Sequence, residues 1–200
     1  MEDNIPVILL DRFFEGLDCN SVVIDNEQAS FDATLHLIQN KFKKIGFITT
    51  ASDQTQMLGR LSGYTKAVSE NNLIAISLQI PYNEVNKGKS KEYIKSFLDQ
   101  NPDLDAVFFS TNYLAQSGLE VFKEKNPKLI NEIGIIAFDD NDMFKICDPA
   151  ITSVHQPLNE ISTALMEVML PLLKKKDVAE TTQQIVLKTE LIVRESSLPK

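Results

Sequence analysis

Two adjacent aspartates, Asp139 and Asp140, stand where the apolar run "IGIIAF" stops, and Asp142 follows two residues later. Carboxylates at the mouth of an apolar segment suit three kinds of chemistry. They accept hydrogen bonds from hydroxyls, they hold a hard cation through oxygen ligands, or as a pair they move protons in glycoside cleavage. The run "DDND" has neither the glycine turn nor the closing glutamate of a calcium loop. No second acidic residue is identifiable opposite Asp139, which counts against glycoside chemistry. On this segment alone, a loop aspartate with no role competes evenly with a functional one. Arg60, in "MLGRLSGYTKA", is the second residue of interest, because a guanidinium offers five fixed donors for hydroxyls or a carboxylate. A surface arginine paired with a carboxylate would look the same.

Other chemistry finds little support. The phosphate-binding patterns G-x-G-x-x-G and G-x-x-x-x-G-K are absent, and so is the nucleophile elbow G-x-S-x-G. His36 and His155 have no neighbouring Ser, Cys or His, and His36 reads as an exposed helix residue. Cys19 and Cys147 are far apart, with no C-x-x-C spacing, so neither a disulfide framework nor a thiolate metal site is indicated. No cofactor, metal or catalytic residue is expected.

The elements that must position Asp139 and Arg60 alternate along the chain. "PVILL" and "SVVID" read as strands, followed by a helix whose stripe is Phe31, Leu35, Ile38 and Phe42. "KIGFITT" is a strand, Met57, Leu61, Tyr64 and Val68 mark a helix, and "LIAISLQ" is the next strand. A helix around Tyr93–Leu98, the strand "AVFFS", a helix from about Asn112 to Lys123 and the strand "IGIIAF" continue the pattern. Four or five parallel strands flanked by helices result. Then Leu158, Ile161, Leu165 and Val168 mark a longer helix with Pro171 near its end. "QQIVLKTELIVRES" closes the chain as an extended segment bent around Lys188. In open α/β sheets ligands bind beyond the carboxyl ends of the strands. The polar loops "TTASDQTQ", "STN" and "DDND" would lie side by side there, which raises the functional reading of Asp139.

Composition sets outer limits. The chain has 200 residues, 43% hydrophobic and 24% charged, enough for one sizeable core and free of low-complexity tracts. A formal net charge of -8 repels phosphate backbones and anionic lipids. The basic run Lys174–Lys176 reads as a solvated helix end rather than a nucleic-acid footprint. The start "MEDNIPVILLDRFF" lacks the basic flank and long apolar stretch of a signal peptide, and no segment reaches the roughly 18 apolar residues of a membrane span. A cytoplasmic protein without membrane partners is expected.

The series "PVILLDR", "SVVIDNEQAS", "KKIGFIT", "GRLSGYTKAV", "DAVFFSTNYLAQSGLEVF", "EIGIIAFDD" and "PAITSVHQPLNEIS" resembles, in order and spacing, the effector-binding region of LacI/GalR-family transcriptional regulators. The resemblance runs from about Ile5 to Ser196. It implies a periplasmic-binding-protein-like α/β fold with one complete lobe and a remnant of the other. Residues 1–24 would be the first-lobe remnant, 25–150 the second lobe, and 151–200 a crossover helix with closing strands. The family's helix-turn-helix and the first strands of its first lobe have no counterpart here, so a fragment or truncated product of a longer regulator is implied.

By motif, the resemblance makes Arg60 the effector-binding arginine and Asp139 the acceptor of ligand hydroxyls. Thr111 and Asn112 occupy the place of a frequent Asn-Asp pair and depart from it. Asp11 and Gln156 match cleft positions near the lobe hinge, and Tyr82 falls near an aromatic that packs on ligand. Arg60 and Asp139 are then expected to face each other across a crevice, solvated when it is empty, so that neither holds the fold together. Asp140 should point elsewhere and matter less. The implied partners are a sugar or sugar-derived effector and a second copy of the chain, meeting through the Asn112–Lys123 helix or the "QQIVLKTELIV" extension. Operator DNA would be reached only through a helix-turn-helix. The alternative, an exported solute-binding protein of a sugar transporter, calls for a signal peptide or lipoprotein cysteine. An enzyme on such a sheet calls for a nucleophile or a cofactor loop.

Overall fold

The computed structural model describes residues 5–14, 16–174 and 182–199. Part of the acidic start and two lysines of the basic run, Lys175 and Lys176, lie outside the described residues. In chain order the elements are β1 (Ile8–Leu10), β2 (Asn20–Ile24), α1 (Asn26–Gln39), β3 (Ile45–Ala51), α2 (Thr55–Glu70), β4 (Ile76–Pro81), α3 (Tyr82–Asn86), α4 (Ser90–Gln100) and β5 (Ala106–Phe109). They continue with α5 (Asn112–Lys125), α6 (Leu129–Glu132), β6 (Gly134–Phe138), α7 (Asp142–Ile146), β7 (Thr152–His155), α8 (Leu158–Lys174), β8 (Gln184–Leu187) and β9 (Glu190–Ile192). The short helices α3, α6 and α7 have too few residues to show a helical period, so the pattern reading passes over them.

The chain forms two units. Met1–Asp25 and Gln156–Thr189 make the smaller one, and Asn26–His155 with Glu190–Lys200 make the larger. The smaller unit is a parallel three-stranded sheet in the order β1-β2-β8, with α8 packed on it. Helix α8 buries Ile161, Ala164 and Val168, whereas Leu158, expected in its stripe, is exposed. The expected bend at Lys188 separates β8, in this sheet, from β9, which belongs to the larger unit.

The larger unit is built on a six-stranded sheet in the order β4-β3-β5-β6-β7-β9, in which β9 alone is antiparallel. Strands covered on both faces read as unbroken apolar runs, which is why "AVFF" and "GIIAF" are buried at every position. One face packs Val107, Phe109, Ile135 and Ala137 against Ile94, Phe97, Leu119 and Phe122 of α4 and α5. On the other face Phe47 stacks on Tyr64 of α2 at 4.8 Å and meets Phe108 edge-on at 5.3 Å. Tyr64 donates from its hydroxyl to Ile45 O at 2.8 Å and accepts from Ile76 N at 2.8 Å. Burial pushes its pKa up to about 12.

Helix α1 turns a different face to the core than its large apolar residues suggest. Ala29, Ser30, Ala33, Thr34 and Leu37 are buried, while Phe31, Leu35 and Ile38 are only half-buried. The cause is the close approach of α2. A Cβ on Gly63 would lie 2.1 Å from Glu27 O and 2.8 Å from Phe31 N, so only glycine lets the two backbones meet there. Small residues of α1 fill that seam, and Ser30 Oγ donates across it to Arg60 O at 2.6 Å. Phe31 lies beside the seam, with Lys66 Nζ 5.6 Å from its ring.

Candidate functional site

Strands β3, β5 and β6 are adjacent and parallel, so the three polar loops after them do lie side by side. Helix α2 leaves the β3 loop and carries Arg60 on its buried face, with the side chain only 3% exposed. A guanidinium taken out of water needs partners for its charge and its N–H groups. Arg60 Nε donates to Asn26 Oδ1 at 2.8 Å, and Nη1 donates to Ser110 O at 2.7 Å. The guanidinium carbon lies 3.6 Å from the centroid of the Phe138 ring, within cation–π range. Nη1 also reaches Asp139 Oδ2 at 3.5 Å, an ion pair rather than a tight hydrogen bond.

The expectation of a solvated pair facing across a crevice therefore fails for Arg60. It is a buried residue locked to α1, to the end of β5 and to the last residue of β6. Asp139 is the more open member, with its side chain 25% exposed. Asn26, Ser110 and Phe138 were not singled out from sequence. The available signal is positional, since Ser110 directly follows β5, Phe138 ends β6 and Asn26 starts a helix just after β2.

The two aspartates part company because of the backbone between them. Asp139 has φ 68, the left-handed region that Asp tolerates better than most residues, and its N–H donates to Val154 O at 3.0 Å. Its carboxylate goes to Arg60, while Asp140 turns to Arg194. Arg194 Nη1 donates to Asp140 Oδ1 at 2.9 Å and Nη2 donates to Oδ2 at 3.1 Å, a forked pair joined by the hydroxyl of Ser153. The Asp140 side chain is 8% exposed and that of Arg194 is 13% exposed. Burial opposes ionisation of Asp140, but the hydrogen bonds and charge of Arg194 and the bond from Ser153 outweigh it, holding the carboxyl below the usual Asp range. Asp140 does point elsewhere, as expected, but it anchors the C-terminal tail and so matters to the fold.

That tail is tied down by hydroxyls as well. Ser196 Oγ donates to Ile135 O at 2.6 Å and accepts from Thr152 N at 2.8 Å, and Ser197 Oγ lies 2.8 Å from His36 Nε2. His36 is thus a half-buried anchor, not an exposed helix residue, and burial lowers its pKa.

The other candidates spread over both units. Thr111 is the buried N-cap of α5, accepting from Leu114 N, and Asn112 begins that helix half-buried, next to the Ser110 carbonyl that holds Arg60. Tyr82 opens α3 beyond the end of β4 and is 54% exposed. Asp11 and Gln156 belong to the smaller unit. Asp11 follows β1 with φ 69 and donates from its N–H to Val22 O at 3.1 Å, and Gln156 O accepts from Leu158 N at 2.9 Å. Among the described residues, no group of three or more His, Cys, Asp or Glu could hold a metal ion, and no helix is long and apolar enough to cross a membrane.

A parallel sheet that presents a paired carboxylate and guanidinium at its carboxyl edge defines a periplasmic-binding-protein-like α/β module, of the kind that takes small ligands at strand ends. Comparison with known proteins narrows this further. The chain belongs to the periplasmic binding protein-like domain family, whose model matches residues 34–197, and it is an effector-binding domain of the LacI type. It is 34% identical over 180 residues to the HTH-type transcriptional regulator RegA of Clostridium saccharobutylicum, covering 89% of this chain and 53% of RegA. It is 27% identical over 192 residues to the HTH-type transcriptional repressor CytR of Escherichia coli K12, covering 96% of this chain and 56% of CytR. The chain thus spans about half the length of these curated relatives, which are transcriptional regulators rather than enzymes. Among solved structures, a putative transcription regulator from Staphylococcus saprophyticus superposes with a TM-score of 0.84 at 28% identity, over 98% of this chain and 72% of that one. The CelR–cellobiose complex shares the fold, with a TM-score of 0.82 at 23% identity over 96% of this chain and 59% of that one.

Proposed function

We propose that this module senses a neutral sugar or similar polyol for a LacI-type transcriptional regulator of the cytoplasm, with DNA contacted by the regulator's helix-turn-helix part. The observation that carries this reading is Asp139, partly exposed at the carboxyl edge of the sheet and paired with a buried arginine. Asp139 accepts hydrogen bonds from effector hydroxyls, Arg60 fixes its position, and Thr111, Asn112 and Tyr82 of the same unit add contacts. Because Arg60 and Asp139 together carry no net charge, a neutral polyol meets no repulsion there. A phosphorylated sugar or sugar acid would bring its negative charge against Asp139. The cellobiose held by CelR, a regulator of the same fold, is consistent with such an effector.

Calorimetric titration of the complete regulator with neutral, phosphorylated and acidic sugars tests the reading. A neutral sugar is expected to bind, and Asp139→Asn should weaken it by about 10- to 100-fold, the loss of one charge-assisted hydrogen bond. The melting temperature should fall less than in Arg60→Ala, since Asn tolerates a positive φ and keeps an oxygen toward Arg60 but leaves that buried cation without its carboxylate, so the titrations are run well below the melting range of the variant. Unchanged affinity in Asp139→Asn and in a conservative Thr111 variant would place the effector elsewhere.

We also propose a homodimer, supported by an exposed aromatic side chain on α5, Tyr113, and an exposed aliphatic one on β8, Val186. Light scattering should show a dimer at tens of micromolar that Tyr113→Asp converts to monomer. A monomer at every concentration tested would refute it.

A further inference from the structure

Two buried hydroxyls next to Arg60 have no place in the network described so far. Ser110 N donates to Ile48 O at 2.9 Å and Ile48 registers with Phe109, so Thr49 and Ser110 are the next pair across β3 and β5. Both side chains point to the face covered by α2. Phe47 and Phe108, two residues earlier on their strands, meet edge-on on that face, and side chains along a strand repeat with period two. Phe109 registers with Ala137, which puts Ser110 beside Phe138, the ring under the Arg60 guanidinium. Thr49 is 1% and Ser110 0% exposed, and among the described residues neither Thr49 Oγ1 nor Ser110 Oγ has a hydrogen-bond partner.

A lone hydroxyl in an apolar setting is costly, and two side by side are a pattern to be explained. Neighbouring strands lie about 4.8 Å apart, and across that spacing the two hydroxyls do not bond each other. That span suits two hydroxyls bridged by one small molecule that both donates and accepts.

We propose that Thr49 and Ser110 bind a single resident water, bridging Thr49 Oγ1 and Ser110 Oγ, as an integral part of the floor behind Arg60. Each hydroxyl has one donor and two acceptor sites, so the water completes both without any change of backbone. Two protein hydroxyls are within the usual complement of two to four partners for a buried water. The Ser110 carbonyl that holds Arg60 belongs to the same residue, so the water steadies the strand end on which the arginine depends. The water's place does not depend on which effector binds.

Isosteric substitution and crystallography test it together. A high-resolution structure of the chain should show a well-ordered water within hydrogen-bond distance of both oxygens, absent in the Thr49→Val, Ser110→Ala double variant. Thr49→Val alone should lower the melting temperature by about 2–4 °C, because it strips the water of one partner. The double variant should cost less than the sum of the two single ones. If the hydroxyls were orphans, Thr49→Val would instead raise the melting temperature. That result, or electron density showing the two oxygens bonded to each other or to backbone with no water between them, would overturn the proposal.

Discussion

Arg60→Ala is expected to lower the stability of the larger unit by about 3–5 kcal/mol, roughly 10 °C in melting temperature, before any effector is added. The arginine is 3% exposed, and its loss strips Asn26 Oδ1 and the Ser110 carbonyl of their donors. It also removes the cation over Phe138 and leaves a cavity under α2. Arg60→Lys should recover only part of this, since an ammonium cannot serve Asn26, Ser110 and Asp139 in the fixed geometry of a guanidinium. Thermal unfolding followed by circular dichroism is the direct measurement. A variant melting within a degree or two of the parent would mean that the buried network contributes nothing. The practical consequence is that loss of effector binding in Arg60→Ala does not identify a contact residue, because the site collapses with its support. Asp139→Asn is the cleaner probe.

The second large effect belongs to Asp140. Asp140→Ala leaves Arg194 buried without its forked partner and should cost about 3–5 kcal/mol. The loss should be local as well as global. Among the described residues strand β9 pairs only with β7, through Ser153–Ile192, Val154–Leu191 and His155–Glu190, so amide hydrogen exchange there should accelerate before the rest of the sheet opens. The pH dependence has a definite sign. The Asp140 carboxyl sits below its ordinary pKa in the folded chain, so its stabilisation is complete above the unfolded value of about 3.9 and is lost as pH falls through the folded value. Asp140→Asn should therefore flatten the stability profile in that acidic window while lowering the plateau at neutral pH. A parent and variant that lose stability in parallel below about pH 4 would exclude the linkage.

Much of this architecture is legible in the amino-acid sequence, for identifiable reasons. Runs such as "AVFF" and "GIIAF" announce strands covered on both faces, and alternation with helical segments announces a parallel sheet. Adjacency of the three polar loops follows from that topology. The faces of α1 are misread because pattern rules equate burial with large apolar residues, whereas at Gly63 the backbones touch and the seam takes Ala29, Ser30 and Ala33 instead. Arg60 is misjudged for a related reason: it lies one position off the stripe of Met57, Leu61 and Tyr64, and only tertiary partners 34, 50 and 79 residues away in sequence account for its burial. Arg194 is invisible for the same reason, lying 54 residues from Asp140. Charged residues carry no periodic signal, so their partners emerge only when the chain is folded.

The fastening of β9 and the tail after it also bears on the order of events at the ribosome. Every other strand of the six-stranded sheet is made by His155, but the residues that seal its edge and supply Arg194, Ser196 and Ser197 are made only after α8 and β8. While they remain in the exit tunnel, β7 presents an open edge and Asp140 has no counterion. The nascent larger unit must therefore wait, sticky and incompletely locked, until these residues emerge, and a premature stop between His155 and Glu190 should yield a product that chaperones hold and proteases clear.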